Sequence, residues 1–453
     1  MKQKLAIYLA ALVMLFTGVS CMSDDEESVV LSPYAMVTSF SIGNIKSSYH
    51  AFTSTGEDTT VVRTLSSALY PFTINHSTGE IFNADSLPFG TDVSKVVMNI
   101  SLKGLACIYT DSTGTFDYFS MTDSIDFTVP RKFRIYSADK GYERDYTVTV
   151  NVHKVEPELL SWNKYSAPED FLPSCAVEFC GEMKLFGSAA GTLSVASAGL
   201  AGEPAWELSP LSGLPVTAKL ANVQQFGGSL YTVAEGCLYI SADAVNWTVA
   251  SQESGVVAIV GASDADGKIW IAGEQGVKYS ADGASFEQAQ ELPAGFPLYG
   301  LSLSSYPLLH NRNIIRYMLI GYTTPEMNGE PAVWSRLSTE NDWVLYDNGN
   351  GFACPSLKGL SVVRYDNSLY AFGSSGVAGG ESIGAFSSFF VSKDNGIVWK
   401  ASENYYQRLP KELAGNESQF VATVDSANFI WIVNSGSDAG VWKGIINRLG
   451  FKK

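Results

Sequence analysis

The sequence predicts an all-β protein made of two domains. Along residues 32–154, short segments of β-branched and aromatic residues alternate with polar residues, and Gly, Asp, Ser and Pro separate the segments. Along residues 158–453, a turn followed by a short apolar segment recurs six times. Both patterns are typical of β-strands, and the change from one to the other near residue 156 marks the domain boundary.

The first pattern predicts an immunoglobulin-like β-sandwich over residues 32–154. Strands of this length, spaced along about 120 residues, are characteristic of such sandwiches. The alternation is clearest in five segments, residues 37–43, 72–76, 96–102, 132–136 and 146–152.

The second pattern predicts a six-bladed β-propeller over residues 158–453, with seven blades as the alternative. Periods of about 40 to 50 residues, each with several short strands, are typical of propeller blades. Residues 159–165 could supply an outer strand to the last blade and so close the ring. The six copies of the apolar segment are centred on Met183, Leu230, Ile269, Tyr317, Leu369 and Ile430.

Three copies are followed by a segment similar to an aspartate box, Ser-x-Asp-x-Gly-x-x-Trp. We expect the aspartate to cap backbone N–H groups of a tight turn and the aromatic residue to pack between blades. These residues are therefore predicted to be structural. They are Asp243 with Trp247, Asp282 with Phe286, and Asp394 with Trp399.

The N-terminus has the features of a secretory signal peptide over residues 1–20. Lys2 and Lys4 precede an apolar run that ends at Phe16, and small residues follow. The run is shorter than the roughly 20 residues that span a bilayer. Cys21 stands where bacterial lipoproteins are cut and acylated, so we predict that it is the lipid attachment site.

Residues 21–31 are predicted to form an acidic tether. The Asp-Asp-Glu-Glu run at residues 24–27 resembles the export signal of Bacteroidota lipoproteins, which places them on the outer leaflet of the outer membrane. The alternative is a solvated acidic spacer. We expect a lipid-anchored, surface-exposed protein of the outer membrane.

The composition argues against nucleic-acid binding, a disulfide framework and a metal or cofactor site. The formal net charge of −16 over 453 residues disfavours nucleic acid as a partner. With Cys21 acylated, an odd number of cysteines remains, which argues against a disulfide framework. The four histidines have no ligand spacing, so we predict neither a metal site nor a cofactor.

Three segments resemble an uncharacterised family of Bacteroidales surface lipoproteins, catalogued as domain of unknown function 6242. They are Asp85-Ser-Leu-Pro-Phe-Gly-Thr-Asp, residues 123–137, and the closing segment at residues 441–451. The resemblance spans nearly the whole chain and implies the anchor, the sandwich and the propeller. It implies no activity.

The function predicted from these features is non-catalytic recognition of a glycan or protein ligand at the cell surface, through the propeller. One alternative is a glycan hydrolase or lyase whose site has no recognisable motif, and another is a docking subunit of an outer-membrane assembly. Aromatic residues in predicted loops are the candidate ligand contacts. They are Tyr299, Tyr306, Tyr405 and Tyr406. The Gly- and Ser-rich insertion at residues 374–388 is expected to be a loop on a blade face.

Overall fold

The computed structural model describes residues 31–451 except 56, 112, 119, 252, 347–348, 350 and 437–438. The described residues form 38 strands and four short 3-10 helices, with no α-helix among them. The predicted signal peptide, Cys21 and the acidic run at residues 24–27 lie outside these residues. The chain divides into two compact units, and residues His50–Val61 belong to the second unit together with Val155–Lys453.

The N-terminal region forms strands that alternate buried and exposed side chains, as β6 illustrates. The strands are β1 (Met36–Ile42), β2 (Ile45–Phe52), β3 (Asp58–Leu65), β4 (Phe72–Asn75), β5 (Glu80–Asn83), β6 (Val96–Lys103), β7 (Ala106–Thr110), β8 (Phe116–Tyr118), β9 (Ser124–Ile125), β10 (Arg131–Tyr136) and β11 (Glu143–Thr149), with a 3-10 helix at Ser67–Leu69. One sheet has the order β1-β6-β9, and the other has the order β4-β5-β11-β10-β7-β8. Strands β2 and β3 form a separate two-stranded ribbon.

The two sheets of the first unit share one hydrophobic core. Phe40 of the first sheet packs edge-on against Phe72 of the second, with ring centroids 4.9 Å apart. Phe127 contacts both Phe40 and Phe133 and so bridges the sheets. Burial of these apolar faces against each other is what holds two such sheets together.

The second unit contains six four-stranded antiparallel sheets among the described residues. In chain order its strands are β12 (Leu160–Tyr165), β13 (Phe171–Phe179), β14 (Glu182–Ala189), β15 (Thr192–Gly199), β16 (Glu207–Pro210), β17 (Gln224–Phe226), β18 (Ser229–Ala234), β19 (Cys237–Ser241), β20 (Thr248–Val249), β21 (Val256–Ser263), β22 (Lys268–Gly273), β23 (Gly276–Ser280), β24 (Glu287–Gln290), β25 (Tyr299–Pro307), β26 (Ile315–Tyr322), β27 (Ala332–Leu337), β28 (Val344–Leu345), β29 (Ser356–Leu357), β30 (Ser361–Tyr365), β31 (Ser368–Phe372), β32 (Gly376–Ala378), β33 (Glu381–Ile383), β34 (Phe390–Ser392), β35 (Lys400–Ala401), β36 (Phe420–Val424), β37 (Ile430–Asn434) and β38 (Gly440–Ile446). Short 3-10 helices lie at Leu220–Asn222, Lys411–Leu413 and Asn447–Gly450.

We number these sheets 1 to 6 by their first strands, which are β13, β17, β21, β25, β30 and β36. Each first strand contacts the first strand of the next sheet, and β36 of sheet 6 contacts β13 of sheet 1. The contacts therefore run in a closed cycle, with the first strands on the inside. Hydrophobic clusters fill the spaces between neighbouring sheets.

Strands from both ends of the unit build sheet 6, which has the order β12-β38-β37-β36. Leu160 pairs with Ile446 at one end of the β12–β38 register, and Tyr165 pairs with Val441 at the other. This confirms the expectation that residues 159–165 supply the outer strand. Pairing the two chain segments leaves no unpaired edge on β38.

The insertion at residues 374–388 differs from the expected loop. Strands β32 and β33 form a hairpin there, and β32 pairs with β29 in a small three-stranded sheet. Gly379 and Gly380 both have positive φ at its turn, a conformation that favours glycine. The same glycines that suggested a loop therefore serve as hairpin turn residues.

Candidate functional site

One candidate site is a cavity of about 520 Å³ in the second unit. It lies where the first strands of sheets 1 to 4 begin. Ser174 lines it from β13, the 3-10 helix Leu220–Asn222 from the segment before β17, Val257 and Ala258 from β21, and Tyr299–Leu301 from β25. Because these strands run side by side, their starts converge on one space although they are far apart in sequence.

Two polar side chains at the cavity wall are held by the backbone of β21. Asn222 Nδ2 donates to Ile259 O at 2.8 Å, and Ile259 N donates to Asn222 Oδ1 at 2.6 Å. Lys219 Nζ donates to Val257 O at 2.6 Å, and burial lowers the pKa of the Lys219 ammonium. An ammonium has three protons, so Lys219 keeps donors for a ligand.

Most of the remaining wall is apolar, with Tyr299 as the aromatic side chain. Ser174 and Ser188 add hydroxyl groups that can donate or accept hydrogen bonds. None of the lining residues, all of them in the described part of the chain, carries a carboxylate. The wall is therefore suited to holding a ligand by apolar contact and a few hydrogen bonds, and it offers no pair of carboxyl groups for acid–base chemistry.

The four tyrosines predicted to bind a ligand do not come together in one site. Tyr299 lines the cavity, whereas Tyr306 lies seven residues further along β25, roughly 20 Å away by the rise of a strand. Tyr306 donates a hydrogen bond to Asn395 Oδ1 and packs between sheets 4 and 5.

Tyr405 and Tyr406 contact another segment of the second unit. Tyr405 stacks on His50 with ring centroids 5.1 Å apart, and its hydroxyl donates to Asp58 Oδ2 at 2.6 Å. This bond is the largest cause that lowers the pKa of Asp58. Tyr406 Oη accepts a hydrogen bond from His50 N at 2.7 Å, and the Arg408 guanidinium lies 4.2 Å from the centroid of Tyr405. These contacts hold the two tyrosines against residues of the same unit, and their role as ligand contacts stays a prediction.

The aspartates of the aspartate-box-like segments make hydrogen bonds within tight turns. Asp243 Oδ1 accepts from Val245 N and Asn246 N, and Asp282 Oδ1 accepts from Ala284 N and Ser285 N. Asp394 Oδ1 accepts from Val398 N at 2.9 Å. In each turn the serine two residues earlier also donates to the aspartate.

The aromatic residues of these segments belong to the clusters between sheets. Trp247 is buried and contacts Phe186 of sheet 1, with ring centroids 5.9 Å apart. Trp399 is buried in the cluster between sheets 4 and 5, and Phe286 packs on the cluster between sheets 2 and 3. The aspartates of these segments therefore cap tight turns, and the aromatic residues pack between sheets.

Asp243 allows a test of this structural role through its pH dependence. Hydrogen bonds from Asn246 and neighbouring backbone N–H groups lower its pKa from 3.8 to about 2. A carboxyl group whose pKa is depressed on folding contributes stability that is present above the unfolded pKa and is lost as the pH falls through the folded pKa. We therefore expect Asp243→Asn to have a lower free energy of unfolding than the natural protein. This stability deficit should become smaller as the pH falls from 4 to 2.

Urea unfolding at a series of pH values would measure this deficit. A carboxyl-carbon NMR titration of Asp243 in the natural protein and in Asn246→Ala would check the cause, since the variant lacks the side-chain donor. The expected result is a higher pKa in Asn246→Ala. A stability deficit that is constant over the whole pH range would contradict the assignment.

The cavity residues Lys219, Asn222 and Met327 were missed by sequence reasoning. They lie in connections before or beside the strands, and no motif marks them. The signal available was indirect, because loops that precede inner strands of a propeller converge at one end of its channel.

Within the described part of the chain, no group of three or more His, Cys, Asp or Glu side chains is arranged to hold a metal ion. No helix there has the length and apolar character required to cross a membrane.

Solved structures similar to the chain share little sequence with it. The extracellular domain of the putative one component system BT4673 from B. thetaiotaomicron is 14% identical, with a TM-score of 0.34, over 75% of this chain and 38% of that one. The chain thus spans 38% of that domain's length. YjhT is 12% identical, with a TM-score of 0.39, over 62% of this chain and 95% of YjhT. The alpha-L-arabinofuranosidase Arb93A from Fusarium graminearum is 10% identical, with a TM-score of 0.34, over 64% of this chain and 98% of the enzyme.

Comparison with curated proteins yields no match. Two family descriptions match the sequence in succession. Residues 40–150 match the N-terminal domain of a domain of unknown function, DUF6242, and residues 156–453 match the DUF6242 beta propeller domain. The second unit is therefore a β-propeller domain, and the chain belongs to the DUF6242 family.

Proposed function

We propose that this protein is an outer-membrane, lipid-anchored surface protein whose propeller recognises a glycan without catalysis. In this proposal the N-terminal domain is an immunoglobulin-like sandwich, the propeller has six blades, and Cys21 carries the lipid. The six four-stranded sheets and their cyclic contacts support the blade count. The N-terminal sequence features support the anchor and the location.

The observation that carries the proposal is the cavity at the start of the first strands. Its volume of about 520 Å³ is within the range of small-molecule sites, roughly 300–1,000 Å³. The ring of Tyr299 offers an apolar face with a polar tip, which suits a sugar ring. Lys219 and the two serines can donate hydrogen bonds to hydroxyl oxygens of the sugar.

The cavity also favours recognition over hydrolysis. Glycoside hydrolases require two carboxyl groups on opposite sides of the scissile bond in most families. The lining described above has none, and its one charged side chain is a lysine. A protein ligand that inserts a single side chain into the cavity is the other outcome that the experiment would distinguish.

A glycan array probed with the purified protein would test the proposal. We expect saturable binding to one glycan class, and about tenfold or greater loss of affinity in two variants. Tyr299→Ala removes the aromatic wall, and Ala221→Trp fills the cavity from an exposed position. Tyr142→Ala removes an exposed tyrosine of the N-terminal domain and is the matched control.

The two variants separate the possible results. Glycan binding that survives both Tyr299→Ala and Ala221→Trp would reject the cavity as the site. Absence of glycan binding, together with capture of a surface protein that Ala221→Trp abolishes, would replace the glycan with a protein ligand.

A further inference from the structure

A second group of side chains lies at the opposite end of the first strands from the cavity. Tyr306 near the end of β25 is directly opposite Arg316 of β26 in the strand register, so their side chains share one face of sheet 4. Arg364 of β30, in sheet 5, lies over the Tyr306 ring with its Cζ 4.3 Å from the ring centroid. Two guanidinium groups from neighbouring sheets therefore flank one half-buried tyrosine.

Neither guanidinium has an acidic partner among the residues that the structure describes. The ion pairs found there involve other arginines, such as Arg134 with Asp145 and Arg448 with Asp366. The chain has 46 acidic and 30 basic residues, so acidic side chains are abundant. An arginine guanidinium is always charged, so Arg316 and Arg364 both keep a positive charge that could attract an anionic ligand.

The partners that these arginines do have are neutral. Arg316 Nη1 donates to Tyr346 Oη at 3.0 Å and to Ser335 Oγ at 3.4 Å, while Arg316 Nε is buried without a partner. Arg364 Nη2 donates to Asn367 Oδ1 at 3.5 Å. The hydroxyl partners hold the Arg316 side chain in place, and within the described part of the chain no acidic side chain forms an ion pair with either arginine.

We propose that Tyr306, Arg316 and Arg364 form a second binding site, which takes the carboxylate of an acidic sugar such as a uronic acid. A planar carboxylate matches the paired N–H groups of a guanidinium and can accept hydrogen bonds from both arginines. The exposed Arg364 gives the ligand access, and the amides of Asn367 and Asn395 lie beside the site to bond sugar hydroxyls. The choice of a sugar as carrier of the carboxylate rests on the proposed glycan recognition, but the site itself is separate from the cavity.

Isothermal titration calorimetry with oligogalacturonate and oligoglucuronate would test the proposal. The matched ligand is methyl-esterified oligogalacturonate, which keeps the sugar rings and loses the charge. We expect binding of an acidic oligosaccharide, weaker binding at higher salt, and no binding of the ester. Arg364→Gln and Arg316→Gln should each weaken binding by about tenfold or more.

Arg312→Gln is the control for loss of one positive charge, since Arg312 is an exposed arginine just before β26. It should change the affinity by less than about twofold. Arg316→Lys keeps the positive charge but lacks the planar pair of N–H donors. Whether this variant folds shows whether the half-buried position tolerates a substitution. We expect it to bind more weakly than the natural protein.

Three results would overturn the proposal. They are equal binding of the ester and the acid, equal losses in Arg312→Gln and Arg364→Gln, and absence of binding by both acidic oligosaccharides. Binding of poly-glutamate in place of both oligosaccharides would show an acidic protein ligand and reject the sugar. Ala221→Trp should leave this affinity unchanged, so that failure of the cavity proposal and failure of this one are distinguishable.

Discussion

Replacement of Trp431 by alanine is expected to lower the free energy of unfolding by about 3–5 kcal/mol. Trp431 is fully buried in a cluster that joins sheet 6 to sheet 1, the point where the cycle of sheets closes. Its Nε1 donates to Asp425 Oδ2 at 2.8 Å, and Asp425 is itself buried. The variant therefore loses apolar packing, leaves a cavity and removes a hydrogen bond from a buried carboxylate.

Urea unfolding followed by circular dichroism would measure the effect. Trp431→Phe keeps an aromatic ring and removes the N–H group, so its cost should be smaller, about 1–3 kcal/mol. Leu309→Ala is the control, because this side chain of the same unit is 84% exposed and should change stability by less than about 0.5 kcal/mol. A cost below about 1 kcal/mol for Trp431→Ala would show that the contact between sheets 6 and 1 contributes little.

Replacement of Gly444 by alanine is expected to cost about 1–3 kcal/mol, because it would disturb the pairing of β12 with β38. A Cβ atom at Gly444 would lie 2.4 Å from Trp162 Cε3, closer than van der Waals contact permits. The indole cannot easily move away, since Trp162 Nε1 donates to Arg408 O at 2.8 Å. The strain falls on the strand pair that joins the two ends of the unit.

A double-mutant cycle would separate this contact from a general effect of the substitution. In a Trp162→Ala background the ring is absent, so Gly444→Ala should cost much less than it does alone. Gly199→Ala is the matched control, because a Cβ at this position in β15 meets nothing within 4 Å. Additive costs of Gly444→Ala and Trp162→Ala would contradict the proposed contact.

The strand pattern could be read from the sequence because one strand of each sheet is buried on both faces. The six apolar centres, from Met183 to Ile430, all lie in the second strand of their sheet. Strands β18, β22 and β37 are buried almost throughout. A strand covered on both faces gives a continuous apolar run, and such runs recur once per sheet.

The candidate sites could not be read in the same way, because they depend on contacts between distant segments. The cavity wall combines Ala218, Val257 and Gly300, which are small or apolar and carry no local signal. The hydroxyl of Tyr405, a candidate ligand contact in a predicted loop, donates to Asp58, which lies 347 residues away in sequence. Tyrosines in loops indicate candidate surfaces, and only the fold shows which surfaces are already covered.

Hydrogen–deuterium exchange of the full-length protein, with and without a glycan that binds it on the array, would show directly whether the propeller cavity recognises the glycan. We expect slower exchange on binding at residues 218–222, 257–258 and 298–301, which line the cavity. Ala221→Trp should abolish this protection. Protection confined to the segment around Tyr405, or to the N-terminal domain, would contradict recognition through the propeller cavity.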